Sequence, residues 1–178
     1  LTHVPVHIKP HLVAFFFKEM EGDEINYLNF RAKAVKLNFS SSINKFLRIT
    51  LAKVDIPVRL TNLHMLLSIS DWGEYQGTIY NLEDGNKYFL ALPEEVNADV
   101  NELLDDVFRI AFVYYVSGHV ENSEFPCVVR AINTFIEMYD LDEFGFDIAG
   151  LRRYYYREIQ NHSKLQTIVK KRTKLRKG

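Results

Sequence analysis

The sequence predicts an α+β protein: a β-rich N-terminal part, then a helical C-terminal part that ends in a basic tail. Three observations predict it. Over the first ninety residues, apolar side chains come in short runs and alternations broken by turn residues, the signature of strands. After Leu92 they recur at helical spacing over longer stretches. Charge is partitioned as well: residues 1–91 carry 10 Lys and Arg against 9 Asp and Glu, residues 92–149 carry 2 against 13, and residues 150–178 carry 10 against the single Glu158. The boundaries that follow are residues 1–91 for the β-rich part with one short helix, 92–162 for the helical part, and 163–178 for the tail.

Within the first part, "THVPVHI" alternates, and "LVAFFFKEM" reads as a Phe-rich apolar strand. Gly22-Asp23 punctuates, and "INYLNF" and "AKAVKLNF" follow as strands, the second placing Val35, Leu37 and Phe39 on one face. "SSSINKFLRITLAKV" changes period: Ile43, Phe46, Leu47 and Leu51 recur at helical spacing behind Ser42 as N-cap. Strands resume with "IPVRL", "HMLLSIS", "YQGTIY" and "KYFLAL", the last two joined as a hairpin through Asp84-Gly85.

The second part opens with "PEEVNADVNELLDDVFRIAFVYYVSG". Its early acidic residues suit the positive end of a helix dipole, and Gly118 offers a stop. Phe108 to Val116 is apolar nearly all round, which predicts a buried central helix. A second helix follows Pro126, with Val128, Ile132, Phe135, Ile136 and Tyr139 on one face. The connector "DLDEFGFD" leads to a third helix starting near Asp147. No internal repeat and no low-complexity linker interrupts the chain.

Several function classes are excluded or disfavoured. One cysteine, Cys127, allows neither an internal disulfide nor a cysteine-based zinc site; it reads as small core packing and fits a reducing, cytoplasmic setting. The longest apolar run, "IAFVYYV", is too short to cross a bilayer, so no membrane partner is expected. The 8 glycines form no phosphate cradle, so no nucleotide cofactor is expected. His3, His7 and His11 share a four-residue spacing, but Pro5 and Pro10 break a helix there, and on a strand they would span about 27 Å, too far for one metal. His64, His119 and His162 are isolated, and "SSS" at 40–42 is better explained by capping than by nucleophilic chemistry. Asp99, Glu102, Asp105 and Asp106 fall within two turns and could hold a divalent ion. No second ligand set accompanies them, and a solvated face or a counter-surface for the basic tail is the stronger reading. The β-half aromatics could form a base-stacking platform, but the RNP-type motif is absent and core packing is the default.

What remains is the C-terminal basic region. On the third helix Ile148, Leu151, Tyr155 and Ile159 form a stripe able to face a core, which leaves Arg152, Arg153, Tyr156 and Arg157 largely off it. Arginine donors bridge phosphates or grip a guanine edge, and tyrosine stacks on bases. Lys164, Lys170, Lys171, Arg172, Lys174, Arg176 and Lys177 extend the charge. Two helices joined by a Gly-containing turn are compatible with a helix-turn-helix, although this connector exceeds the compact three- or four-residue form. The expected function is non-catalytic nucleic-acid binding, DNA before RNA. The alternative is a protein–protein assembly module, in which the basic segment docks on the acidic helix of its own or a neighbouring subunit, making a homo-oligomer.

The run "AINTFIEMYDLDEFGFDIAGLRRYYYREIQ" resembles the C-terminal helical part of small accessory proteins of bacterial mobile elements and phages. The resemblance covers about thirty residues and implies a DNA-handling or element-maintenance role in a bacterial cytoplasm.

Overall fold

Val4, Val6 and Ile8 are fully buried, and Pro5 between the first two is buried as well, so the first strand is covered on both faces along its middle. In the computed structural model of the chain, the described residues are 1–38, 40–61, 64–70, 72–75, 78–81 and 89–160; of 72–75 and 78–81 only the backbone is described. They form β1 (Thr2–His7), α1 (Pro10–Glu19), β2 (Asp23–Tyr27), β3 (Phe30–Leu37), α2 (Ser42–Thr50), β4 (Ala52–Val54), β5 (His64–Ile69), β6 (Trp72–Tyr75), β7 (Thr78–Asn81) and β8 (Phe89–Ala91). Then come α3 (Glu94–Glu121), α4 (Val128–Tyr139), a 3₁₀ turn (Leu141–Phe144) and α5 (Ile148–Gln160). The architecture is α+β: a β-rich N-terminal region that includes α1 and α2, followed by a helical one. The chain divides into two compact units, Leu1–Asn101 and Glu102–Gly178, with the division inside α3.

In the first unit a four-stranded sheet runs in the order β1-β5-β3-β2. β5 is antiparallel to β1 and parallel to β3, and β2 is antiparallel to β3. Register puts Val4, Val6, Met65, Leu67, Val35 and Leu37 on one face, all buried. α1 packs against β3 and β5 with Leu12, Val13, Phe15 and Phe16 buried. This corrects the strand expected for "LVAFFFKEM". Pro10 occupies the first helical turn, where its missing N–H costs nothing, and the apolar residues lie at i, i+1, i+3 and i+4, a helical stripe.

Tight turns decide the rest of this unit. "INYLNF" is not one strand: Leu28 and Asn29 both take positive φ, 48° and 65°, and turn β2 into β3 as a two-residue hairpin. Gly22 is required just before β2, since a Cβ there would lie 2.8 Å from the Ala34 carbonyl oxygen and 2.4 Å from the Phe17 ring. Phe39 lies outside the described residues.

α2 forms where expected, but its N-cap is Ser41, whose Oγ accepts from the Asn44 N–H at 3.2 Å. Its inward residues are Asn44 and Leu47, while Phe46 is exposed. The buried Asn44 amide is satisfied by the Asn38 carbonyl at 3.0 Å and by Arg48 Nε at 3.3 Å.

"IPVRL" is irregular rather than a strand; Pro57 brings no N–H to a ladder, and the strand that forms is β4, just before it. "YQGTIY" spans the gap between β6 and β7, which pair with each other. β8 pairs with β4 and β6 with β7; the hairpin expected through Asp84-Gly85 falls on residues outside the described ones. The start of α3 holds the β1–α1 connection: Asn97 donates to the His7 carbonyl at 2.8 Å and accepts its N–H at 3.1 Å, and Asn101 accepts the Lys9 N–H at 3.0 Å.

In the second unit α3 buries Leu104, Phe108, Phe112, Val113 and Val116. The helix is one-sided and not buried all round, because Val107 and Tyr114 are 39% and 50% exposed. Nor does it stop at Gly118. One glycine costs a helix about 1 kcal/mol, and the Gly118 carbonyl instead takes the Asn122 N–H at 3.1 Å and Nδ2 at 2.8 Å as a C-terminal cap. α4 presents Ala131, Ile132, Phe135, Ile136 and Tyr139 to the core as its periodicity predicts. The Phe135 ring is the hub, 5.9 Å from Phe108, 5.2 Å from Phe112, 5.2 Å from Tyr115 and 4.8 Å from Tyr139. Cys127 is exposed at the N-cap of α4, not packed in the core.

Candidate nucleic-acid interface

α4 ends because Asp140 takes the left-handed conformation at φ 51°, a position open to Asp and Gly but strained for most residues. The 3₁₀ turn follows, and Gly145 at φ 80° redirects the chain. α5 is then capped by Asp147, whose Oδ1 accepts the Gly150 N–H at 2.6 Å. Leu141, fully buried, anchors the connector.

The three consecutive tyrosines of "LRRYYYRE" have three different environments, as a 100° step per residue dictates. Tyr155 points into the core at 4% exposure, with its hydroxyl 3.3 Å from Ser117 Oγ. Tyr156 is 43% exposed, and Arg152, one turn earlier, sits 5.7 Å over its ring. Tyr154 is half-buried between two guanidinium groups, Arg157 at 5.2 Å and Arg109 of α3 at 5.6 Å from its ring centre. Its hydroxyl is pushed up to about 12: burial contributes most, the Glu158 carboxylate adds to it, and Arg109 and Arg157 pull the other way.

Arg109 is itself held by Asp105, 3.0 Å from both its Nε and its Nη2. That pairing makes Asp105, only 3% exposed, a structural anion rather than part of a solvated acidic face. Glu102 and Asp99 are exposed. Among the described residues no three His, Cys, Asp or Glu side chains cluster to hold a metal, and no helix is long and apolar enough to cross a membrane.

Of the residues singled out from the sequence, Arg152, Arg153, Tyr156 and Arg157 are all exposed on α5, opposite the buried Leu151 and Tyr155. Arg157 also lies 3.6 Å from Glu158, which neutralises part of its charge locally. Ile159, expected on the inward stripe, is 38% exposed. Lys164, Lys170, Lys171, Arg172, Lys174, Arg176 and Lys177 lie outside the described residues. Sequence reasoning missed the Arg109–Tyr154–Arg157 stack. The i, i+3 spacing of Tyr154 and Arg157 hints at one half; only the packing of α5 near α3 supplies the other.

No protein-family model matches the chain, and comparison with curated proteins and with solved structures returns no significant match.

Proposed function

We propose that the chain is a non-catalytic nucleic-acid-binding accessory protein of the cytoplasm that favours DNA. The observation that carries this is the two-sidedness of α5: Leu151 and Tyr155 are buried, while Arg152, Arg153, Tyr156 and Arg157 are exposed together and lead into a sequence rich in Lys and Arg. Exposed guanidinium groups beside an exposed ring suit phosphate contact and base stacking. Arg152 over Tyr156 and Arg157 over Tyr154 are each positioned by a ring, and with Arg153 they supply the phosphate donors.

Fluorescence anisotropy with labelled single- and double-stranded DNA and RNA at two salt concentrations tests this. The comparison is the full chain, a version ending at Ser163, and an Arg152/Arg153/Arg157→Ala triple variant. The triple variant is expected to lose affinity and to flatten the dependence of log K on log salt by about 0.9 for each phosphate it no longer neutralises. Absence of binding at low salt overturns the reading.

A second reading has its own observation. Leu103, Val107 and Tyr114 are exposed at i, i+4 and i+11 on α3, beside the exposed Glu102. Such an apolar and acidic face suits the basic segment of a neighbouring copy, as in a phage or mobile-element structural module. Only this reading expects self-association without nucleic acid, which sedimentation velocity measures.

A further inference from the structure

The two ends of α5 carry opposite charge. At its N-terminal end Asp140, Asp142, Glu143 and Asp147 are all exposed, and no Lys or Arg occurs in the sequence between Arg130 and Arg152. Asp147 is fixed in place as the cap by its bond from the Gly150 N–H. The first turn then contributes Ile148, Ala149 and Gly150, none of which has a side-chain hydrogen-bond donor. In a helix-turn-helix this is the end of the second helix that enters the major groove and meets the base edges. Four carboxylates there are repelled by the phosphates that border the groove, and they offer no donor to the purine edges. The α4–α5 pair therefore lacks the chemistry that duplex readout needs.

The C-terminal half of the helix is built differently. At 100° per residue, Arg152, Tyr156, Arg153 and Arg157 follow one another around α5 in that order over an arc of about 140°. All four are exposed, and the arc lies away from the buried Leu151 and Tyr155. Tyr156 thus has a guanidinium group on either side of it. Its ring is steadied by Arg152 above it and by an edge contact with Tyr155, whose centroid lies 5.6 Å away at 64°. A ring held at the surface loses little freedom when a base stacks on it. In a duplex the base faces are already stacked on one another, whereas an unpaired base presents its face to an aromatic side chain.

We propose that α5 takes single-stranded DNA in preference to duplex, with a base stacked on Tyr156 and the flanking phosphates held by Arg152, Arg153 and Arg157. This rests on the reading of α5 as a nucleic-acid interface and narrows it. Tyr156 is the residue that sets the preference, and the arginines supply the affinity that both forms share.

The test is anisotropy of the full chain with three labelled ligands of about 16 nucleotides: oligothymidine, a duplex of the same length, and an abasic sugar-phosphate strand. Oligothymidine is expected to bind about tenfold more tightly than either of the others at the same salt. Tyr156→Ala is expected to remove that advantage, weakening oligothymidine about tenfold and leaving the duplex and the abasic strand unchanged. Its salt dependence stays as in the parent, because a stack and not a phosphate contact is lost. Tyr156→Phe keeps the preference, since stacking needs the ring and not the hydroxyl. The abasic strand tests the stack on the unaltered protein, so the proposal stays open to refutation even where Tyr156→Ala disturbs folding. Duplex or abasic strand bound as tightly as oligothymidine, or Tyr156→Ala weakening all three alike, would overturn the proposal while leaving nucleic-acid binding in place. Failure to bind any of the three at low salt would remove the reading of α5 itself, and this proposal with it.

Discussion

Replacing Tyr154 by Phe removes one hydroxyl and leaves the ring between Arg109 and Arg157 in place. The effect on stability depends on pH in a way the structure specifies. In the unfolded chain this tyrosine ionises near 10.0, whereas in the folded protein it is pushed up to about 12. Below pH 10 both states hold the proton and the group contributes nothing to the pH dependence. As pH rises from 10 towards 12, the unfolded chain releases the proton while the folded one retains it, so stability falls. Two pH units correspond to about 2.7 kcal/mol at most. Because Tyr154 is only half-buried, solvent screening reduces this to about 1 kcal/mol. The assay is urea unfolding of the parent and Tyr154→Phe at pH 8, 9, 10 and 11, followed by circular dichroism, with phenolate absorbance recorded in parallel. At pH 8 the variant is less stable by about 0.5–1.5 kcal/mol, the value of its hydrogen bond from Arg109. That deficit shrinks as pH rises above 10. Parallel stability curves up to pH 11, or ionisation of Tyr154 near 10, would refute the reasoning.

Other consequences follow from the packing. Phe135→Ala empties the hub of the aromatic cluster in the second unit and is expected to cost about 3–5 kcal/mol, read from the shift in the urea midpoint at constant slope. Leu28→Asn should stabilise the β2–β3 hairpin by about 0.5–1 kcal/mol, because Leu28 holds a positive φ while its exposed side chain contributes little packing; thermal unfolding measures it. His64 is held below its ordinary 6.5 by burial first and by His7 second, opposed by the Thr61 N–H. The unfolded chain therefore takes up the proton first, and stability falls as pH drops below 6.5. His64→Gln should flatten that dependence, followed through the fluorescence of Trp72, the single tryptophan.

What was legible in the sequence was whatever a local period determines. The switch from strands to helices near Leu92, the inward face of α4 and the outward placing of Arg152, Arg153, Tyr156 and Arg157 all follow from residue spacing, because a helix or strand converts spacing directly into direction. Failures came where two periods fit one string. "LVAFFFKEM" is apolar enough for a buried strand, and only its packing across β3 and β5 makes it α1. The β4–β8 pairing was equally hidden, because it joins segments far apart in the chain and no local turn signal announces it. The Phe108–Val116 run looked buried all round since sequence records how apolar a face is and not whether anything covers it.

The candidate sites divide in the same way. Composition and spacing alone singled out the arginines and tyrosines of α5. Only tertiary structure decided that Tyr154 is clamped by Arg109 and that Asp105 is buried beside Arg109. The physical reason is range. Helical and strand periodicity act over a few residues and are written in order along the chain, whereas charge pairing, burial and cleft formation depend on which distant segments the fold brings within a few ångströms.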